Sequence, residues 1–138
     1  MWAFQNKFLP AAVNLFREHP KMKHVLFCED DVRLNKGVRA KDLLEEARLK
    51  GPSACRLGWS NRGRWGAHCS AFSPRACEAF RADLGAMTST DDPEKHMYGL
   101  DTYFYNVRLQ RMGGGKAFMR YASQSMARQI RHKKRARF

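Results

Sequence analysis

Apolar positions near the start of the chain predict a helix followed by a strand. The apolar residues of the helix recur at the i, i+3, i+4, i+7 spacing: Leu9, Ala12, Val13 and Phe16. This spacing predicts an amphipathic helix over residues 7–18, which ends before Pro20. The run 24–28 is short, continuous and apolar, which is typical of a strand covered by helices on both faces.

Helical spacing of apolar residues and short apolar runs alternate along the rest of the chain. They predict a helix over 38–50, strands over 54–59 and 66–72, a helix from Ser73-Pro74 to Gly85, and a helix over 102–111. In the helix over 38–50 we expect Leu43, Leu44 and Ala47 to form the inward face. Strands that alternate with helices predict an α/β domain, in which a sheet is flanked by helices.

Three consecutive carboxylates, Glu29, Asp30 and Asp31, directly follow the first predicted strand in a chain of formal net charge +13. A bound divalent cation would explain this cluster, because the carboxyl ends of strands in open parallel sheets converge on ligand crevices. Strand alternation predicts that Glu29 and Asp31 share one face and that Asp30 points to the other. The alternative is a solvated turn, in which an acid caps a helix or pairs with Arg33 or Lys36.

The segment HVLFCEDDVRL resembles the acidic motif of family 25 glycosyltransferases, the lipopolysaccharide and collagen galactosyltransferase type. Further segments follow in the order that this family uses: KDLLEEARL, the strand end Leu57-Gly58-Trp59, GAHCSAFSPRACEAF and YGLDTYFY. The similarity covers residues 22–110, and the acidic and glycine-to-helix segments are its specific parts. The resemblance implies a partial GT-A-like, Rossmann-related sheet flanked by helices.

The resemblance also shapes the expected domain organisation. In GT-A transferases a strand-helix-strand unit precedes the acidic motif and builds much of the nucleotide pocket, whereas only residues 1–28 precede it here. We therefore expect either a fragment or a minimal relative, in which the nucleotide-binding unit is incomplete. The expected division is a transferase domain over 1–121 and a basic tail over 122–138.

The implied reaction is transfer of a hexose, galactose or glucose, from a nucleotide sugar such as UDP-hexose to a hydroxyl of a glycan or protein. Glu29 and Asp31 would hold Mn²⁺ or Mg²⁺, His132 would complete the metal shell, and Asp30 would contact the nucleotide ribose or a metal water. Asp101 would act as general base if the enzyme inverts, and the sequence leaves inversion and retention open. Asp101 would also serve as a plain helix N-cap.

Trp59, Trp65 and His68 lie beside the predicted loop after the strand over 54–59. Aromatic faces are good platforms for sugar rings, so these residues are candidates for acceptor binding. The alternative is that the two tryptophans belong to the core and its rim.

Charge is distributed unevenly along the chain. No acidic residue follows Asp101, whereas ten Lys and Arg residues do. Such a basic end attracts polyanions, including nucleic acid, acidic lipids and nucleotide diphosphates. A basic nucleic-acid-binding protein and a metal-dependent nuclease therefore stay open, although no nucleic-acid motif occurs. An inactive, truncated transferase relic is a further alternative.

We predict the localisation from the membrane-span and signal-peptide patterns, which the sequence does not show. No apolar run reaches the length of a membrane span, and the N-terminal residues do not form a signal-peptide pattern. The four cysteines lack C-x-x-C spacing, which favours reduced, mostly buried thiols over disulfides, and a zinc site at His68, Cys69 and Cys77 is the minor alternative. We expect a cytoplasmic protein.

Overall fold

The computed structural model describes residues 2–51, 53–59, 68–88, 99–100, 103–104 and 118–130. A π-helical turn, Phe4–Phe8, leads into the first of three described α-helices: α1 (Leu9–Glu18), α2 (Ala40–Lys50) and α3 (Pro74–Thr88). The strands of the described residues are β1 (Val25–Cys28), β2 (Val32–Leu34), β3 (Ala54–Gly58), β4 (Cys69–Phe72), β5 (Met119–Tyr121) and β6 (Ala127–Gln129). The fold is mixed α/β, with a curled, mixed sheet.

The helices and three of the strands match the periodicities in the sequence. Helices α1 and α2 and strands β1, β3 and β4 are confirmed, and Ser73 caps α3 through a hydrogen bond from the Ala76 N–H to its Oγ at 3.1 Å. The prediction that Gly85 ends α3 is wrong, because the helix continues to Thr88. Leu44 is 41% exposed rather than inward, since Leu43 and Ala47 occupy the buried face of α2.

The sheet has the strand order β1-β4-β3-β6-β2, with β5 also paired to β3. The pairs β1/β4, β4/β3 and β6/β2 are antiparallel, and β3 is parallel to β5 and β6. The expectation of a parallel strand buried on both faces is therefore wrong for β1. It lies at the edge of the described sheet, and its residues are half-buried or exposed.

The sheet must curl, because β1 and β2 stand at opposite ends of its strand order and only residues 29–31 join them. Four strand spacings would separate them by about 19 Å in a flat sheet. The four peptide steps from Cys28 to Val32 reach about 15 Å at most. The β2/β6 ladder extends into this connection with a hydrogen bond of 2.7 Å from the Ile130 N–H to the Asp31 carbonyl oxygen.

Gly58 permits a close approach of three strands. It pairs with Cys69 on one side and Ala127 on the other, next to a register shift that begins at Arg56. A Cβ atom at Gly58 would lie 3.0 Å from the Ala127 Cβ and 3.1 Å from the Cys69 Cβ. The absence of a side chain here allows β6 to join the sheet, although its residues fall within the stretch assigned to the basic tail.

Two apolar clusters cover the two faces of the sheet. Helices α1 and α3 contribute to an aromatic cluster that also holds Phe4, Phe72, Phe80 and Phe104. On the other face, Leu43 and Ala47 of α2 pack with residues of β3 and β4. Each face of the central strands is thus closed by helices. None of the described helices is long and apolar enough to cross a membrane.

We expect Gly58→Ala to lower the free energy of unfolding by about 1–3 kcal/mol, because the added methyl group overpacks a three-strand contact. Urea denaturation followed by circular dichroism measures this change. The matched control is Gly85→Ala, since no atom lies within 4 Å of a Cβ built there. Removing a glycine from a helix should raise stability by about 0.5–1 kcal/mol. Equal effects of the two substitutions would contradict the close-contact role of Gly58.

Candidate functional site

Residues Glu29–Asp31, here called the acidic turn, join β1 to β2 at one end of the sheet. Strands β1, β3 and β6 end there, and β2 and β4 begin there. The acids thus follow β1 as predicted, but Asp30 and Asp31 form a turn rather than a continuation of the strand. Strand alternation therefore does not extend to Asp31, although Glu29 and Asp31 are half-buried and Asp30 is exposed.

Glu29 is fixed by the sheet and opens onto a cavity. Its backbone N–H donates to the His68 carbonyl oxygen at 3.0 Å, which extends the β1/β4 ladder by one residue. The cavity has a volume of about 690 Å³, and its wall includes Lys7, Phe8, Phe27, Glu29 and Leu100. This volume lies in the range of small-molecule sites, and an apolar wall with a few charged groups is typical of them.

Asp31 carries a buried carboxylate oxygen that none of the described residues satisfies. Its Oδ1 has no hydrogen-bond partner in the part of the chain that the structure describes. Burying a carboxylate oxygen without a partner is costly, so a polar atom of this kind fits a cation ligand. Oxygen ligands of this type are those that Mg²⁺ and Mn²⁺ prefer.

A cation at the acidic turn would have few protein ligands. Among the described residues, no group of three His, Cys, Asp or Glu side chains could hold a metal ion. Mg²⁺ commonly keeps one or two carboxylates and completes its shell with water and phosphate oxygens, which Glu29 and Asp31 would match. The zinc alternative at His68, Cys69 and Cys77 is wrong, since these described side chains form no such group.

Two arginines face each other close to the acidic turn. Arg33 of β2 is paired with Arg128 of β6, and both side chains are exposed. Their neighbours Val32, Leu34 and Ala127 pack under α2, so alternation puts the two arginines on the opposite face of the sheet. Like charges directly opposite each other destabilise a strand pair, and an anion bound between them would offset this cost. No pattern in the sequence indicates this pair.

Trp59 is held by packing and by the loop between β5 and β6. Its ring lies 5.1 Å from the Tyr121 ring in an edge-to-face arrangement, and its side chain packs against the α2 cluster. Its backbone N–H donates to Ser125 Oγ at 3.1 Å. These contacts favour the rim-packing interpretation of Trp59, and a role in acceptor binding stays a prediction. Ser125 is a positioning residue that the sequence did not indicate.

His68 is placed beside the acidic turn but is turned into the protein. Its residue is 1% exposed, and its link to Glu29 runs through the backbone carbonyl. Because the His68 ring is buried, it is better suited to packing against its neighbours than to stacking on a sugar. The predicted substrate contact of His68 stays untested.

Three predicted site residues, Trp65, Asp101 and His132, lie outside the described residues. Their described chain neighbours belong to the same region. Leu100 lines the cavity with Glu29, and Ile130 donates its N–H to the Asp31 carbonyl oxygen.

Cys28 and Cys69 form a thiol pair beside the acidic turn. They are opposite each other on β1 and β4, and their sulfur atoms lie 3.7 Å apart. The hydrogen bond with Cys69 outweighs burial and lowers the pKa of Cys28 to about 7. The same contact, together with burial, raises the pKa of Cys69. All four cysteines are free and three are buried, as expected, with Cys28 the exposed one.

No protein-family model, curated protein or solved structure matches the chain. Its function is therefore inferred from the geometry of the acidic turn and the residues around it.

We expect Cys28 to be alkylated by iodoacetamide with a rate that rises to half its maximum near pH 7. Below this pH the thiol is protonated and slow, and above it the thiolate reacts. Burial raises the pKa of Cys55 and Cys77 to about 12, so these two should not react in the folded protein. Mass spectrometry of each cysteine peptide gives the rates. A midpoint at the ordinary cysteine pKa of about 8.5 would contradict the lowered value.

Proposed function

We propose that this chain is a metal-dependent hexosyltransferase resembling the GT-A enzymes of glycosyltransferase family 25. It would transfer galactose or glucose from UDP-hexose to a hydroxyl of a glycan or protein. The observation that carries the proposal is the Asp31 carboxylate, whose Oδ1 is buried and lacks a hydrogen-bond partner among the described residues. It lies in the turn that follows β1, two residues from Glu29 and its ligand-sized cavity.

Glu29 and Asp31 would hold Mn²⁺ or Mg²⁺. When bound, the ion would neutralise the negative charge that develops on the nucleoside diphosphate leaving group. Asp30 is exposed, and it would contact the ribose or a metal-bound water.

Positive charge near the acidic turn suits a diphosphate. Lys7 lines the cavity with Glu29, and Arg33 and Arg128 face each other where β2 pairs with β6. Guanidinium groups bind phosphate oxygens in a bidentate manner, so a diphosphate between the two arginines would relieve their repulsion. The aromatic side chains of the cavity wall, Phe8 and Phe27, offer ring faces for a base or a sugar.

The roles of the remaining residues rest on the sequence and on their described neighbours. Asp101 would take the proton of the acceptor hydroxyl, and its neighbour Leu100 lies in the cavity wall. His132 would complete the metal shell, two residues after the Ile130 that binds the acidic turn. Trp59 and Trp65 would border the acceptor, and the basic residues 131–138 would contact polyanions.

The proposal predicts that UDP and UDP-galactose bind the protein in the presence of Mn²⁺ and that Asp31→Asn weakens this binding at least tenfold. The substitution keeps the shape of the side chain and removes the charge that holds the ion. Isothermal titration calorimetry with and without Mn²⁺ measures both effects. The matched control is Glu78→Gln, an exposed carboxylate on α3 away from the acidic turn, which should bind as the wild type does.

Three other outcomes would redirect the assignment. Binding of nucleotide sugar without transfer to any acceptor would favour an inactive relic. Binding of DNA that weakens steeply with salt, without binding of nucleotide sugar, would favour a basic nucleic-acid-binding protein. Mn²⁺-dependent cleavage of nucleic acid that Asp31→Asn abolishes would favour a nuclease.

The same site predicts how Mn²⁺ changes stability. A ligand that binds the folded state stabilises it by about 2.7 kcal/mol when its concentration is 100 times the Kd. We expect this gain for the wild type in urea denaturation. Asp31→Asn should lose the gain and be at least as stable as the wild type without metal, because its unpartnered buried oxygen no longer carries charge. A large loss of stability in Asp31→Asn without metal would instead assign Asp31 a structural role.

A further inference from the structure

We propose that Cys28 and Cys69 are a redox modification site, where an intramolecular disulfide forms reversibly across the β1/β4 strand pair. The inference stands on the strand register and the positions of the sulfur atoms, and it does not depend on the proposed transferase activity.

The register of β1 and β4 brings the two thiols into bonding range. Glu29 donates its N–H to the His68 carbonyl oxygen, so Glu29 and His68 form a hydrogen-bonded pair of the antiparallel ladder. The neighbouring pair, Cys28 and Cys69, is therefore of the non-hydrogen-bonded type. In that type the facing residues have Cα atoms about 4.5 Å apart and their side chains come closest. This separation is within the range of about 4.4–6.8 Å that disulfides span.

The remaining movement is small. The sulfur atoms are 3.7 Å apart, and an S–S bond of about 2.05 Å requires them to approach by about 1.7 Å. Rotation of the side chains supplies most of this distance, because the strands already hold the backbones at the required spacing.

Neither of the other cysteines offers this arrangement. Cys55 of β3 is opposite Ala71, and it packs in the α2 cluster. Cys77 belongs to the aromatic cluster on the other face of the sheet. Both are buried, so they serve as internal controls for any oxidation of the pair.

Hydrogen peroxide would be the oxidant, and exposed Cys28 would meet it first. The Cys28 sulfur attacks one peroxide oxygen, the O–O bond breaks, and the products are a sulfenic acid and one molecule of water. The Cys69 sulfur then displaces the hydroxyl group of the sulfenic acid, which leaves as a second molecule of water. Two thiols thus lose two electrons and two protons, and the S–S bond forms as the peroxide is reduced.

The Cys28–Cys69 disulfide would form next to the acidic turn, and this position determines its structural effect. Cys28 directly precedes Glu29, and Cys69 follows the His68 whose carbonyl oxygen accepts the Glu29 N–H. The disulfide would tie the edge strand β1 to β4 at the base of the acidic turn. Oxidation would therefore restrict the part of the chain where β1 turns into β2.

The test is oxidation of the reduced, full-length protein with a small excess of hydrogen peroxide. We expect the free thiols to fall from four to two, with the loss of two hydrogens from the intact mass. Peptide mapping without reduction should show the Cys28 and Cys69 peptides joined, and dithiothreitol should restore four thiols. A joined pair that includes Cys55 or Cys77, a disulfide between two copies of the chain, or Cys28 sulfinic acid without any disulfide would overturn the proposal.

Single substitutions separate the two steps. Cys69→Ser should stop the reaction at the Cys28 sulfenic acid, which dimedone traps, while Cys28→Ser should leave the remaining thiols unoxidised. Cys55→Ser and Cys77→Ser should form the disulfide at the wild-type rate, because Cys55 is opposite Ala71 in the strand register and Cys77 belongs to the aromatic cluster. A variant that fails to fold does not affect the outcome, since the peptide map of the wild type alone identifies the bonded cysteines.

Discussion

The close approach of three strands at Gly58 is the constraint on which the rest of the sheet depends. With no Cβ at this position, Cys69 and Ala127 pack against β3 from both sides so closely that a side chain here would require its neighbours to shift. Strand β6 therefore pairs with β3 at Gly58, and β2 lies beyond β6, at the opposite end of the strand order from β1. Three acids in a short connection can then join two strands that stand at opposite ends of the strand order.

The charged side chains at this end of the sheet determine which ligands it could bind. The chain is strongly basic, yet three of its carboxylates are consecutive in the acidic turn. One of them, Asp31, keeps a buried oxygen without a hydrogen-bond partner among the described residues, and Arg33 and Arg128 are paired across the adjoining strands. Both features cost stability in the protein alone, and both would be relieved by a ligand that combines a cation with phosphate groups. The proposed complex of a metal ion with a nucleoside diphosphate would meet both requirements.

The sequence predicted the elements that are long enough to show a period. Helices α1, α2 and α3 show the 3.6-residue pattern. Strand β1 is an apolar run of four residues, and β3 and β4 are mostly apolar, with one polar residue each, Arg56 and Ser70. Strands β2, β5 and β6 have three residues each, which is too short to show a periodic pattern. Because Arg128 is charged, the residues of β6 were assigned to the basic tail. The acidic turn was found because its residues are consecutive. The thiol pair and the arginine pair were not predicted, because both contacts depend on strand register. The two cysteines are 41 positions apart in the chain and the two arginines 95.

The hydrogen bond between Ile130 and Asp31 has a consequence for the order in which the protein folds. The acidic turn is synthesised within the first quarter of the chain, but its partner strand β6 leaves the ribosome roughly 100 residues later. Contacts between residues so distant in sequence are slow to form, because a long loop must close first. The final geometry of the acidic turn therefore depends on a contact of long sequence separation, which can form only after β6 has been synthesised.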